Sequence, residues 1–397
     1  MKRVNPITKL FLLLSAITLT DNVFITYLIN MGNEALASSV GFSLLAVTTV
    51  LSSIEIVKER RLWLPSAITV TTLLFLVWFQ SRHDIFNMSS EFTTSFIVHG
   101  VGGFFMGLAI KDYEQYIKYL GIIASFYLLF LILEPINHNL LNLDEMLTGY
   151  ALASLIVLLF LAYFTVFKKY KFFLIQALLM SGLVLFLTSR GCGLVIALSL
   201  LFFFVRERSR RGISFGRTFF VILCAVIALF IISRYALGFF MGSSIDISDG
   251  AFISKLAAGS ANDSNGRTDI WELGLLSIAK NWQVGMGFGA DRAILGDDIF
   301  IHDIFLELFI NFGIPLSLIL LFFYWRPIVK TVKQDHLSIP IALLMTLVFR
   351  TWGQLLFSSS YLTNMLNIMF IYGVALRLYV NNNRVKCDSM AHNRLSK

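Results

Sequence analysis

Long apolar runs alternate with short polar loops along most of the chain, and one longer polar segment interrupts them. A bilayer core of about 30 Å is crossed by roughly 20 apolar residues of helix. On that rule the pattern predicts an all-α, polytopic helical membrane protein with about twelve transmembrane helices in a single integral membrane domain, 1–397. The predicted spans are 9–29, 35–57, 62–80, 92–110, 117–133, 149–167, 172–188, 191–205, 218–235, 304–325, 337–356 and 362–380.

Composition supports this class. Of the 397 residues, 57% are hydrophobic and 14% are charged, which is too apolar for a soluble domain. The three cysteines lie far apart, with no CxxC pair and no metal-ligand spacing, so neither a disulfide framework nor a metal site is predicted. The N-terminus resembles a signal peptide but lacks a small-residue cleavage site, and we interpret it as an uncleaved first helix.

The distribution of basic residues predicts the orientation. Lysine and arginine concentrate in every second loop, and the net charge of +8 is therefore a topology signal rather than a sign of nucleic-acid binding. The rule predicts that both termini are cytoplasmic and that the loop between spans 9 and 10, residues 236–303, is periplasmic. The loops predicted to be periplasmic contain these basic residues: Arg82, Arg190, Arg234, Lys255, Arg267, Lys280 and Arg292.

The periplasmic segment contains one helical pattern. Residues 269–280 are amphipathic at helical spacing, and Asp269 with Glu272 forms a capping-box pattern at the start. We expect this short helix to lie on the outer membrane surface. Arg267 comes just before it, where unpaired N–H groups favour anions and a guanidinium matches phosphate oxygens. The alternative is a solvated loop arginine or a partner for a nearby aspartate.

Two further arginines occupy positions that need an explanation. Arg190 ends the seventh span on the predicted outer side, where arginine is disfavoured, which favours a functional role. The alternative is a helix-end side chain that reaches the lipid headgroups. Arg350 lies about 13 residues into its span, roughly 20 Å from the cytoplasmic end, and so in the outer half. A charge at that depth faces a partner or a wet cavity, and a structural ion pair with Glu307 or Asp21 is the competing explanation.

A histidine precedes the tenth span. The imidazole of His302 is able to accept a proton near neutral pH, as a general base requires, although a single histidine at a helix start often has a structural role. Asp303 or Glu307 is a candidate to orient it. Asp21 and His99 also fall in the outer halves of their spans, and this one-sided distribution favours a site that opens outward over a transport path through both halves.

The order of short motifs resembles a known family. SRG ends one span at Arg190, GRTDIW and NWQVGMGFG follow in the outer segment, and HDIFLELFINFGIP opens the next span. Together they resemble the O-antigen polymerase and O-antigen ligase superfamily, over about Met180 to Arg326. Members are polytopic glycosyltransferases of the bacterial inner membrane that use undecaprenyl-diphosphate-linked glycans outside the cytoplasm. Their pattern usually has Asn after the histidine, where this chain has Asp303.

The resemblance implies roles for matching residues. Arg190 and Arg267 would bind the donor diphosphate and His302 would act on the acceptor hydroxyl, whereas Arg350 is assigned to the diphosphate from topology alone. Asp303 and Glu307 would be supporting residues. No cofactor or metal is expected. The expected partners are the lipid-linked donor, a lipid-linked or lipid A–core acceptor, the bilayer and a chain-length regulator.

Three functions remain open at this point. The first is a polymerase, slightly favoured by GRTDIW and LELFINFGIP, and the second is a ligase that uses lipid A–core. The third, of another class, is a transporter or flippase for the same lipid, with a non-catalytic assembly component also conceivable.

Overall fold

A computed structural model of the chain describes residues 5–87, 89–137, 146–187, 190–210, 267–296, 301–334, 338–357 and 359–395. Within these residues there are helices and connecting turns but no strand, so the predicted all-α class is confirmed. The helices, numbered in chain order, are α1 Pro6–Thr20, α2 Asn22–Asn30, α3 Glu34–Val57, α4 Trp63–His83, α5 Ser89–Ala109, α6 Tyr113–Asn137, α7 Met146–Thr165, α8 Lys171–Leu187, α9 Arg190–Arg210, α10 Arg267–Asn281, α11 Ala290–Leu295, α12 Ile304–Gln334, α13 Ile339–Phe357 and α14 Met365–Leu395.

Several of these helices have the length and apolarity of membrane spans, as a multi-pass membrane protein requires. In the part of the chain that the structure describes, five meet both conditions, namely Glu34–Val57, Arg60–His83, Phe92–Ala109, Ile304–Lys333 and Ile339–Leu356. The predicted span 218–235 falls outside the described residues. The number of twelve spans therefore stays a prediction.

Two predicted spans are interrupted in the structure, and the last one, 362–380, is shorter than its helix, Met365–Leu395. The span predicted at 9–29 is two helices, α1 and α2, with Asp21 between them. The span predicted at 304–325 lies within α12, which contains a non-helical residue, Gly313, with φ 74° and ψ 163°. Pro315 follows two residues later, so the helix is kinked where a glycine and a proline meet.

The chain divides into two compact units. One contains Thr20–Val40 and Glu114–Ser264, and α7 is its most deeply buried described helix, with nearly every residue from Tyr150 to Ala162 inside. In the same unit, the Ser125 hydroxyl donates to the Gln176 side-chain oxygen at 2.8 Å, which connects α6 with α8. Since a membrane interior offers no water, such paired polar groups are how helices satisfy buried side chains.

The other unit contains Met1–Leu19, Gly41–Tyr113 and Asn265–Lys397, and α5 packed on α14 forms its centre. Gly103 and Gly107 of α5 face α14 so closely that a Cβ would lie 2.2 Å from the Leu366 carbonyl oxygen and 2.1 Å from that of Phe370. This small-xxx-small spacing lets two membrane helices approach backbone to backbone.

A charged cluster lies beside the C-terminal end of α5. The Arg377 guanidinium of α14 donates to the Leu108 carbonyl at 2.6 Å and to the Glu59 carboxylate at 2.7 Å. Lys111 lies 2.9 Å from Glu55 and 3.1 Å from Glu59. The cluster therefore connects the C-terminal ends of α3 and α5 with the interior of α14.

Candidate active site

His302 lies in a sharp turn just before α12. Its φ is 53°, in the left-handed region, which non-glycine residues seldom adopt although histidine does so more often than most. The preceding residue, Ile301, is 1% exposed. Its carbonyl accepts a hydrogen bond from the Trp271 indole N–H at 3.2 Å, and its main-chain N–H donates to the Asp291 carboxylate at 3.4 Å. The backbone just before the histidine is therefore fixed from two sides.

Asp303 fixes the backbone after it. One oxygen of its carboxylate accepts from the main-chain N–H groups of Phe305 at 2.9 Å and Leu306 at 3.0 Å. These are orphan donors in the first turn of α12, so Asp303 has the geometry of an N-cap. An asparagine side-chain oxygen would make the same contacts, which accounts physically for either residue at this position.

The glycine-rich loop that precedes α12, residues 282–289, packs against the kink in that helix. The main-chain N–H groups of Met286 and Gly287 donate to the carbonyls of Ile310 at 2.8 Å and Asn311 at 3.2 Å, just before the break. After the break, the Ile314 N–H donates to the Trp282 carbonyl at 2.7 Å. Peptide groups freed by the kink are thus paired, as a membrane environment requires.

The same loop and α11 after it contact residues just after the end of α4 and near the start of α5. The Ile85 N–H donates to the Met286 carbonyl at 3.1 Å, and the Arg292 guanidinium lies over the Phe92 ring at 4.9 Å from its centroid. Residues 286–292 therefore pack beside the end of α4 at His83, whereas the charged cluster around Glu59 lies at the beginning of that helix.

Two buried carboxylates lie on either side of Arg292. Its guanidinium is 3.5 Å from Asp291 and 3.8 Å from Glu307, and these side chains are 0% and 1% exposed. Burial raises the pKa of the Asp291 carboxyl above its ordinary value, and the charge of Arg292 opposes the rise. One cation between two buried carboxylates leaves a surplus acceptor for a proton.

Glu307 also connects α12 with the segment before α14. Its carboxylate accepts hydrogen bonds from the Ser360 hydroxyl and from the Tyr361 main-chain N–H, the latter at 3.0 Å. The Tyr361 hydroxyl in turn accepts from the Asn311 amide at 2.9 Å. Glu307 thus has an evident structural role at the start of α12, next to the histidine turn.

Arg267 is the first residue of α10. The helix spans Arg267–Asn281, so Asp269 lies inside its first turn rather than at the predicted cap position. Trp271 follows Arg267 by four residues, about 6 Å of helix rise. Because Trp271 contacts Ile301, the structure brings the start of α10 near the His302 turn, although the Arg267 side chain lies outside the described residues.

The other two arginines have different surroundings. Arg350 is 6% exposed and its guanidinium donates to the Leu19 carbonyl at 3.2 Å, next to the end of α1. An arginine there pairs with a carbonyl that the helix leaves open. Arg190 begins α9, in the other unit, and its side chain lies outside the described residues. Diphosphate binding by Arg350 and Arg190 stays a prediction.

Among the described residues, no group of three His, Cys, Asp or Glu side chains has the arrangement of a metal site.

Comparison with known proteins supplies the family. Residues 175–321 match the protein-family model described as O-antigen ligase. The match supports the O-antigen polymerase and ligase superfamily for this part of the chain. The match contains Arg190, Arg267 and His302, and it supports an enzyme of the O-antigen polymerase or ligase type. No curated protein matches the chain.

Sequence reasoning missed part of this candidate site. Four residues of the site were not predicted: Trp271, Asp291, Arg292 and Ser360. Trp271 and Asp291 bind Ile301, the residue before His302, and Arg292 and Ser360 contact Glu307. One signal was available. Asp291 and Arg292 are adjacent charges between apolar stretches, and such charges in an apolar segment are usually paired.

Proposed function

We propose that the protein is an O-antigen polymerase. It transfers a glycan from undecaprenyl diphosphate to a hydroxyl of another lipid-linked repeat unit, at the periplasmic face of the inner membrane. The family match over 175–321, which contains Arg190, Arg267 and His302, supports the type of enzyme. Within that type, the GRTDIW and LELFINFGIP motifs favour the polymerase slightly. The contact between α10 and the His302 turn supports it, because the histidine lies near the helix that begins with Arg267.

The reaction needs one bond formed and one broken. The acceptor hydroxyl oxygen attacks the anomeric carbon in line, its proton passes to the His302 imidazole, and the carbon–oxygen bond to the diphosphate breaks with the electron pair leaving on the phosphate. Arg190 and Arg267, with Arg350 as a further candidate, balance the charge that develops on the leaving group. Attack from the face opposite the leaving group inverts the anomeric configuration.

The surroundings of the two ends of α4 support the periplasmic location of the candidate site. The basic cluster with Lys111 and Arg377 lies near the beginning of α4, and the glycine-rich loop lies near its end. Because basic residues accumulate on the cytoplasmic side, the end with His302 is assigned to the periplasm.

A ligase that transfers the glycan to lipid A–core is the second candidate, favoured by the description of the matching family model. The two functions differ only in the acceptor. Purified protein in vesicles, supplied with lipid-linked repeat units extracted from a strain that lacks this protein, should form longer lipid-linked glycans without lipid A–core. Product that appears only when lipid A–core is added would replace the polymerase assignment with the ligase.

A gel of lipopolysaccharide from a deletion strain gives an independent readout. Loss of a polymerase leaves core that carries one repeat unit, whereas loss of a ligase leaves bare core and accumulates lipid-linked polymer. Conversion of neither acceptor by well-folded protein would contradict an enzyme of either type.

A further inference from the structure

Ile301 is fixed at three points. Its side chain lies in an apolar cluster with Ile278, Met286, Ala290 and Ile310. Its carbonyl accepts from the Trp271 indole, and its N–H donates to Asp291. Both of its polar main-chain groups are therefore bound by side chains from other elements.

Contact with α10 is unusually close at one residue. A Cβ on Gly274 would lie 2.1 Å from the Ile301 Cδ1 atom, so the end of the Ile301 side chain would have to move to make room for it. Gly274 lies three residues after Trp271, on a neighbouring part of the same helix surface. α10 thus contacts Ile301 through one hydrogen bond and one packing contact.

These contacts act on a residue with an unfavourable backbone conformation. The left-handed region is disfavoured for a residue with a Cβ, and it persists where surrounding contacts determine it. His302 has φ 53°, directly after the peptide that Trp271 binds. Loss of the contact would let the turn relax and the imidazole move.

We propose that Trp271 is a positioning residue that couples the diphosphate-binding helix to the general base, by hydrogen bonding to the Ile301 carbonyl next to His302. This inference rests on the proposed function, since it assigns His302 to proton transfer. One turn of α10 separates Arg267 from Trp271, so a displacement of the helix start reaches the histidine turn through the Trp271 hydrogen bond, with the Gly274 packing contact beside it. Donor binding and placement of the base are thereby linked.

The chain offers a matched control. Trp271 and Trp282 are both partly exposed, at 39% and 48%, and lie near opposite ends of α10. W271F removes the indole N–H that binds Ile301 and keeps an aromatic ring, and W282F makes the same chemical change away from the turn. The assay is turnover in vesicles with lipid-linked repeat units extracted from a strain that lacks this protein.

W271F should lower kcat on the order of tenfold, the effect expected from one lost hydrogen bond to a positioned group. Its KM for the donor should stay within about twofold, and its unfolding temperature should match that of W282F, whose kcat should be near wild type. G274A, which displaces Ile301 without removing a polar group, should lower kcat in the same way.

Equal kcat for W271F and W282F would overturn the coupling, as would a change in donor KM without a change in kcat. If W271F fails to fold, G274A decides, and wild-type kcat in folded G274A overturns it. H302A in the same vesicles separates the two claims. Wild-type turnover in H302A removes the proposed function and the coupling with it, whereas an inactive H302A beside a fully active W271F removes the coupling alone.

Discussion

Asp303 caps α12 by accepting the main-chain N–H of Leu306 at 3.0 Å. The same oxygen accepts the N–H of Phe305, so one carboxylate satisfies two donors that the helix leaves open. His302 is the residue before this cap, and its position depends on where α12 begins.

D303A should lower the stability of the protein by about 1 kcal/mol, because an N-cap is lost, whereas D303N should change it by no more than a few tenths of a kcal/mol. Thermal unfolding of both variants in the same detergent, followed by tryptophan fluorescence, measures the difference. A D303N protein as unstable as D303A would show that the charge, rather than the cap, is what α12 requires.

R267A and H302A should each abolish long-chain polysaccharide while the protein inserts in the membrane at the wild-type level. The first loses a cation that offsets diphosphate charge and the second loses the proton acceptor. K280A is the matched control, since Lys280 lies in the last turn of the same helix as Arg267. It should leave polysaccharide length unchanged on a lipopolysaccharide gel. Near-normal polymer in either well-expressed site variant would count against its assigned role.

G313A should destabilise the protein by at least about 1 kcal/mol, because alanine is disfavoured at φ 74°. In addition, its Cβ would lie 2.8 Å from the main chain of Gln283 and Val284, atoms that no side-chain rotation moves away. G182A is the control, since a Cβ at Gly182 in α8 has no neighbour within 4 Å. The two unfolding temperatures should differ clearly, and equal values would contradict the role given to the kink.

Acid should weaken the charged cluster of Glu59, Lys111 and Arg377 near the beginning of α4. Burial alone would raise the pKa of Glu59, but hydrogen bonds from Arg377, Arg61 and Lys111, together with the charge of Arg377, lower it from 4.5 to about 2. A lowered folded-state pKa gives stability that is complete above 4.5 and is lost as pH falls towards 2.

E59Q should therefore flatten the fall in unfolding temperature between pH 5 and about pH 3. E114Q is the control, because Glu114 is exposed and pairs with Lys118 at 3.5 Å. If E59Q and wild type lose stability in parallel over this range, Glu59 does not carry the acid sensitivity.

Hydropathy was sufficient to predict the class of fold and the approximate bounds of most described helices, since an uninterrupted apolar run leaves the backbone few alternatives to helix in a membrane. It could not predict the kink at Gly313, because an apolar window contains no information on φ. The Gly-x-Pro sequence there was an available signal of a break. The pairing of Glu307 with Ser360 depends on where two helices meet and has no local signature.

For the candidate site, motifs identified residues but not their arrangement. Arg267 and His302 were predicted because each comes just before a predicted helix. The structure connects their segments through the hydrogen bond between Trp271 and Ile301. The sequence assigned Arg350 to the diphosphate because a buried charge needs a partner, and the Leu19 carbonyl is one such partner. Whether Arg190 meets His302 stays a prediction.

The kink in α12 has a consequence for biogenesis. The carbonyls that the kink leaves without a partner within the helix accept hydrogen bonds from Met286 and Gly287. These two residues precede α12 in the chain and so emerge earlier during synthesis. A partly inserted protein must therefore retain this loop at the membrane until Gly313 arrives. Substitutions in residues 285–289 should appear first as faulty insertion and rapid degradation of the nascent protein, before any change in polymer length is detectable.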